Sequence, residues 1–141
     1  MIRTIQHTLE TRGHCDIHDV TGLLRQAIVD SGVREGQALV FTPGSTAGVT
    51  TVEYEPGLVQ DLEEFFQRLI PEGPDYHHHK TWGDDNGSSH VRAALLKPSL
   101  TVPFVDAEPI LGTWQQVVMI DFDTGPRQRR IVFQVWGDSY S

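Results

Sequence analysis

Cysteine is nearly absent from this chain: Cys15 is the one among 141 residues, so no internal disulfide and no paired-cysteine metal knuckle can form. That usage fits a reducing compartment, and a cytoplasmic location is expected. Long hydrophobic runs are missing too. Nowhere do eighteen apolar residues follow one another, and Arg3 and His7 interrupt the start; neither a membrane span nor a signal peptide is expected. Positive charge is scarce, with eleven Lys and Arg against nineteen Asp and Glu and a formal net charge of −8. Such a surface repels a phosphate backbone, which argues against nucleic acid as a partner. At 38% hydrophobic and 21% charged residues, the chain has enough apolar material to fold and too little charge for a disordered one. Its length suits one domain spanning residues 1–141.

What is present is a mixture of helical and strand periodicities. Asp19 offers an oxygen to free amides, Leu23, Leu24, Ala27 and Ile28 follow at helical spacing, and Gly32 provides a left-handed stop. A second helix opens at Pro56-Gly57 and carries Leu58, Leu62, Phe65, Phe66 and Leu69 on one face, with Asp61, Glu63, Glu64 and Arg68 on a solvated one. Met1–Leu9, Gln37–Phe41 and Val49–Tyr54 read as strands, and a short helix capped by Ser88 or Ser89 runs to Leu96. In the last third, the runs from Trp114 to Phe122 and from Arg129 to Trp136 alternate on either side of Thr124-Gly125-Pro126, which predicts an antiparallel hairpin. Without regular strand-helix-strand alternation, the expected fold is α+β: a largely antiparallel sheet or sandwich with two main helices.

Three clusters carry candidate chemistry. The segment from Glu72 to Ser89 is long for a structureless loop and holds Tyr76-His77-His78-His79 and Asp84-Asp85-Asn86, with His90 just beyond. In an extended chain alternate imidazoles point oppositely, so His77 and His79, or His78 alone, would face inward. Imidazole nitrogens from His78 and His90, joined by the Glu53 carboxylate, would suit zinc, although the spacing matches no standard signature; solvated loop histidines are the plain alternative. Arg127, Arg129 and Arg130 are permanent cations whose planar forks would bind phosphate or carboxylate at two points, or simply keep a turn soluble. Thr42-Pro43-Gly44-Ser45-Thr46-Ala47-Gly48 lacks the Lys of a phosphate loop and reads as a tight turn, its free amides leaving an anion cradle open. No Gly-x-Ser-x-Gly elbow is present, so a covalent acyl intermediate is not expected.

In chain order, Ile17-x-Asp19-Val20-Thr21, Ser45-Thr46-Ala47-Gly48-Val49-Thr50 with Glu53, Tyr76-x-His78, Asn86-Gly87-Ser88-Ser89-His90, Pro98-Ser99-Leu100-Thr101-Val102-Pro103, Leu111-Gly112-Thr113-Trp114-Gln115 and Pro126-Arg127-x-Arg129 resemble the YjbQ family over nearly the whole chain. The resemblance implies a small α+β protein acting as a homotrimer, in a family catalogued as secondary thiamine-phosphate synthases. It implies a pocket of Glu53, His78, Asn86, His90, Gln115, Arg127 and Arg129. Catalysis would fall to Glu53, His78 and His90, and binding of a small phosphorylated or anionic metabolite to Asn86, Gln115, Arg127 and Arg129. A divalent ion, Zn²⁺ on His78, His90 and Glu53 or Mg²⁺ bridging a diphosphate, would fit that chemistry. The alternatives are a non-catalytic trimeric metabolite-binding protein and a metal-dependent hydrolase. Two positions depart from the family pattern: Gly44 stands where many relatives have His, and Lys97 where many have Gly.

Overall fold

The computed structural model describes residues 1–140. Eight strands form two antiparallel sheets: β1 (Ile2–Thr11), β2 (Asp16–Asp19), β3 (Val33–Phe41), β4 (Ala47–Val52), β5 (Ser99–Val105), β6 (Glu108–Pro109), β7 (Gln116–Asp121) and β8 (Arg127–Ser139). The larger sheet has the order β1-β8-β3-β5-β6 and the smaller the order β2-β7-β4. Four helices, α1 (Thr21–Ser31), α2 (Pro56–Leu69), α3 (His77–Trp82) and α4 (Gly87–Leu96), complete a mixed α and β architecture with antiparallel pairing throughout.

The helices follow their sequence signals with local amendments. Asp19 Oδ1 accepts from the Thr21 amide at 3.0 Å, and Gly32 ends α1 at φ +72° with its N–H on Val29 O; the left-handed turn needs no Cβ. In α2 the Glu55 carboxylate caps the Gly57 and Leu58 amides. Ser88 and Ser89 are not caps, because α4 starts at Gly87 and both lie inside its first turn, while Asn86 takes the cap position.

The predicted hairpin between the last two strands does not form. β7 pairs with β2 and β4, while β8 pairs with β1 and β3, so residues 122–126 carry the chain from one sheet to the other. β7 explains why: Val117 and Met119 face the core shared with the larger sheet and α1, whereas Val118 and Ile120 face α2 and α4. A strand buried on both faces belongs in the middle of a layered stack. Trp114 lies outside that strand and is 73% exposed. Leu24, Ile28, Val40, Phe104, Met119 and Phe133 are fully shielded, each stabilising the fold by roughly 1.5–3 kcal/mol relative to exposure. The second core, around Phe66, Ile120 and Phe122, clamps α2 and α4 to the smaller sheet. Gly48 permits the close approach of α4, since a Cβ there would lie 2.8 Å from Leu96 Cδ2 and 2.9 Å from Lys97 O.

Candidate functional site

The ends of β1 and β7 meet the starts of β4 and β8 and the N-terminus of α4, and this corner gathers the polar chemistry. Asp121 closes β7 and is completely buried; Arg129, two residues into β8, is 6% exposed. Their pairing is bidentate, Arg129 Nε donating to Asp121 Oδ2 at 2.8 Å and Nη2 to Oδ1 at 3.0 Å. The Thr11 hydroxyl donates to the same carboxylate. Removing either charge would strand the other in the interior, at a cost of about 3–5 kcal/mol.

Asp123 is the second carboxylate of the corner. It accepts from the Thr46 hydroxyl at 3.1 Å, from Asn86 Nδ2 at 3.3 Å and from the Thr124 amide at 2.8 Å, and Arg127 Nε lies 2.6 Å from its Oδ2. Burial alone would raise its pKa, but these hydrogen bonds and the Arg127 charge outweigh it and hold the carboxyl below its ordinary 3.8. The Arg127 side chain remains 54% exposed, so part of its fork faces solvent beside Pro126 and Thr124.

The histidine run is helical rather than extended, which changes which rings point where. Successive residues rotate by about 100°, so His78 and His79 both turn toward the protein. His78 stacks on His90 with centroids 4.3 Å apart. Its Nδ1 is 3.0 Å from Asp84 Oδ1, near enough for an ion pair yet off the line of a hydrogen bond. His79 Nε2 accepts from the Gly87 amide at 2.9 Å and so fastens α3 to the start of α4. Burial first, and the neighbouring His78 second, push the His90 pKa below 6.5. Asn86 Oδ1, Ser88 Oγ and Ser89 Oγ at the head of α4 are buried with no partner among the described residues.

Two open cavities adjoin here. A cleft of about 550 Å³ is walled by His14, Glu72, His79, Asp84 and Asp85 and reaches Thr124. Thr124 also borders a notch of about 380 Å³ formed with Asp123, Pro126 and Arg127.

Residues 5–138 match the family model described as "UPF0047 protein YjbQ-like". The chain belongs to the YjbQ-like family. A UPF0047 protein of Archaeoglobus fulgidus is 37% identical over 125 residues, covering 89% of this chain and 94% of the relative. A hypothetical protein of Aeropyrum pernix superposes with a TM-score of 0.88 at 30% identity, covering 97% and 99% of the two chains. An uncharacterised YjbQ/UPF0047 protein of Clostridium acetobutylicum gives 0.82 at 32% identity, covering 91% and 97%.

Of the seven residues that the YjbQ resemblance points to, five lie at this corner: His78, Asn86, His90, Arg127 and Arg129. Glu53 and Gln115 do not. The β4–β7 ladder runs from Ala47 opposite Asp121 to Val52 opposite Gln116, so its two ends are roughly 17 Å apart. Glu53 and Gln115 flank the far end, where Gln115 Nε2 donates to Thr51 Oγ1 at 3.2 Å. The set of His78, His90 and Glu53 is therefore not assembled within one YjbQ-like chain, and among the described residues no three His, Cys, Asp or Glu side chains are placed to hold an ion. Cys15 is buried, and burial pushes its thiol up to about 12, which leaves it unreactive.

Sequence reasoning missed Asp121 and Asp123, and named Thr46 only as part of the turn from Thr42 to Gly48. One signal was available: Asp-Phe-Asp at the end of an apolar strand, followed by Arg127 four residues after Asp123, since carboxylates buried at such a place require cations within reach.

Proposed function

We propose that this chain is a secondary thiamine-phosphate synthase, transferring a hydroxymethylpyrimidine group from its diphosphate to a thiazole phosphate. In that reaction the bond between the pyrimidine methylene carbon and the diphosphate oxygen breaks, the pyrophosphate leaves with the electron pair, and the thiazole nitrogen forms the new carbon–nitrogen bond. Both substrates carry phosphate, while the migrating fragment and the thiazolium product carry positive charge. The observation that supports this reading is the joining, at Thr124, of an acidic cleft walled by Glu72, Asp84 and Asp85 to a notch that exposes Arg127. Arg127 would hold phosphate oxygens and the carboxylates would stabilise the cationic fragment. His90, neutral near pH 7 because its pKa is lowered, would donate one ring N–H to the departing oxygen. Within one chain His78, His90 and Glu53 do not come together as an ion's donor set, and the reaction above uses no metal ion.

The proposed working unit is a homotrimer. Leu39, Phe41, Val132 and Trp136 alternate with core residues and remain half-buried on the outer face of the larger sheet, and Trp114 stands free beside Gln115. Association would cover these side chains, and a head-to-tail ring would carry Glu53 and Gln115 to a neighbour's corner.

The test is pyrophosphate release from hydroxymethylpyrimidine diphosphate in the presence of thiazole phosphate. Wild-type protein is expected to turn over, and His90→Gln to lower kcat by about two orders of magnitude with little change in KM. Protein that binds both phosphates yet releases no pyrophosphate would overturn the synthase in favour of a metabolite-binding trimer.

A further inference from the structure

The Gly87 amide is the first N–H of α4, a donor that has no partner inside its own helix, and Gly87 is buried. A buried donor needs an acceptor. The preceding residue does not supply it, since Asn86 makes no side-chain capping bond. The acceptor comes from α3 instead: His79 Nε2 lies 2.9 Å from the Gly87 nitrogen. A ring nitrogen that accepts a hydrogen bond carries no proton.

The other ring nitrogen completes the assignment. His79 Nδ1 is 3.2 Å from Pro74 O, and a carbonyl oxygen only accepts, so Nδ1 carries the hydrogen. The ring is therefore neutral, with its one proton on Nδ1. Glycine is required at the helix end. A Cβ at Gly87 would lie 2.5 Å from Tyr76 Cβ and 3.0 Å from His79 Nε2, so a side chain there would push both residues away. Tyr76 is itself tied down, its hydroxyl donating to Pro71 O at 2.5 Å.

α3 buries none of its residues, so packing does little to hold it, and the bond to Gly87 carries more of that task. His78 is the next residue along. Fastening His79 to the head of α4 brings the His78 ring over His90, with centroids 4.3 Å apart, while the His90 amide closes the first turn on Asn86 O at 3.3 Å. We propose that His79 is a positioning residue, which caps α4 as a neutral imidazole and so sets His78 against His90. Its effect on turnover rests on the reaction proposed above, in which His90 donates to the departing oxygen; the cap and the tautomer do not rest on it.

The experiment compares wild-type protein, His79→Gln and His79→Ala at pH 7.5 without ligand. Nitrogen-15 spectra of the histidine rings should show His79 neutral with its proton on Nδ1, and a ring protonated on Nε2 overturns the proposal. Hydrogen exchange at the Gly87 amide should be protected in the wild type and faster by about tenfold or more in His79→Ala. The glutamine oxygen offers a replacement acceptor, so His79→Gln should keep both the protection and the His90 ring signals of the wild type. A folded His79→Ala with unchanged exchange and unmoved His90 signals overturns the proposal, as does a His79→Gln that behaves like the alanine variant. The wild-type ring spectrum decides even if a variant fails to fold. In the pyrophosphate assay kcat should fall by about tenfold in His79→Ala with KM little changed, and recover in His79→Gln. A wild type that releases no pyrophosphate sinks the reaction, whereas the spectra and the exchange rates still decide the cap.

Discussion

His90 is disfavoured as a cation by burial and by the facing His78 ring. Its unfolded-state pKa is near 6.5 and its folded-state value lies lower, so between the two the unfolded chain binds more protons. The stabilisation is complete above pH 6.5 and is lost as the pH falls through the folded value. Urea unfolding at pH 5 and pH 7.5 should show the wild type less stable at the lower pH, with the difference reduced in His90→Gln. At this scale the sequence was half legible. Arginine after a Gly-Pro turn announces itself, and so does a run of histidines. Asp121 does not, because in an alternating strand pattern it reads as one more solvent-facing residue; its burial depends on Arg129 arriving from another sheet.

Lys97, the C-cap of α4, has φ +79° and ψ 159°, a region where a Cβ is strained. The conformation is held from both sides: the Lys97 amide donates to Ala93 O at 2.8 Å, and Lys97 O accepts from the Val49 amide at 3.0 Å, tying α4 to β4. Lys97→Gly keeps both bonds and relieves the strain, offset in part by the greater freedom of glycine in the unfolded chain. A net gain on the order of 1 kcal/mol is expected, visible as a melting temperature higher by about 3–5 °C; an unchanged value would show that the strain is absorbed elsewhere. Helices α1 and α2 were legible because their apolar spacing repeats over several turns. α3 was hidden by its polar composition, since none of its residues is buried. The pairing of β7 with β8 failed for a different reason: alternation reports that a strand exists, but its partner is chosen by which layer buries its second face.

For the whole molecule, the antiparallel mixed fold was readable from the order of periodicities, whereas the division into two sheets required long-range contacts that no local pattern encodes. The same limit split the candidate site. A motif gives order along the chain, and only the β4–β7 ladder reveals that Glu53 and Gln115 sit a strand's length from the other five. Sedimentation equilibrium at micromolar concentration is expected to give three times the 15.8 kDa chain mass; a monomer would leave those two residues without a role in the cleft. The crossing of residues 122–126 between sheets has a mechanical corollary. Because Asp121 hangs from one sheet and Arg129 from the other, their ion pair works as a rivet through both layers, and the sheets cannot part while it holds. A ligand that binds this corner only in the folded state would therefore stabilise the whole fold by mass action, not the corner alone.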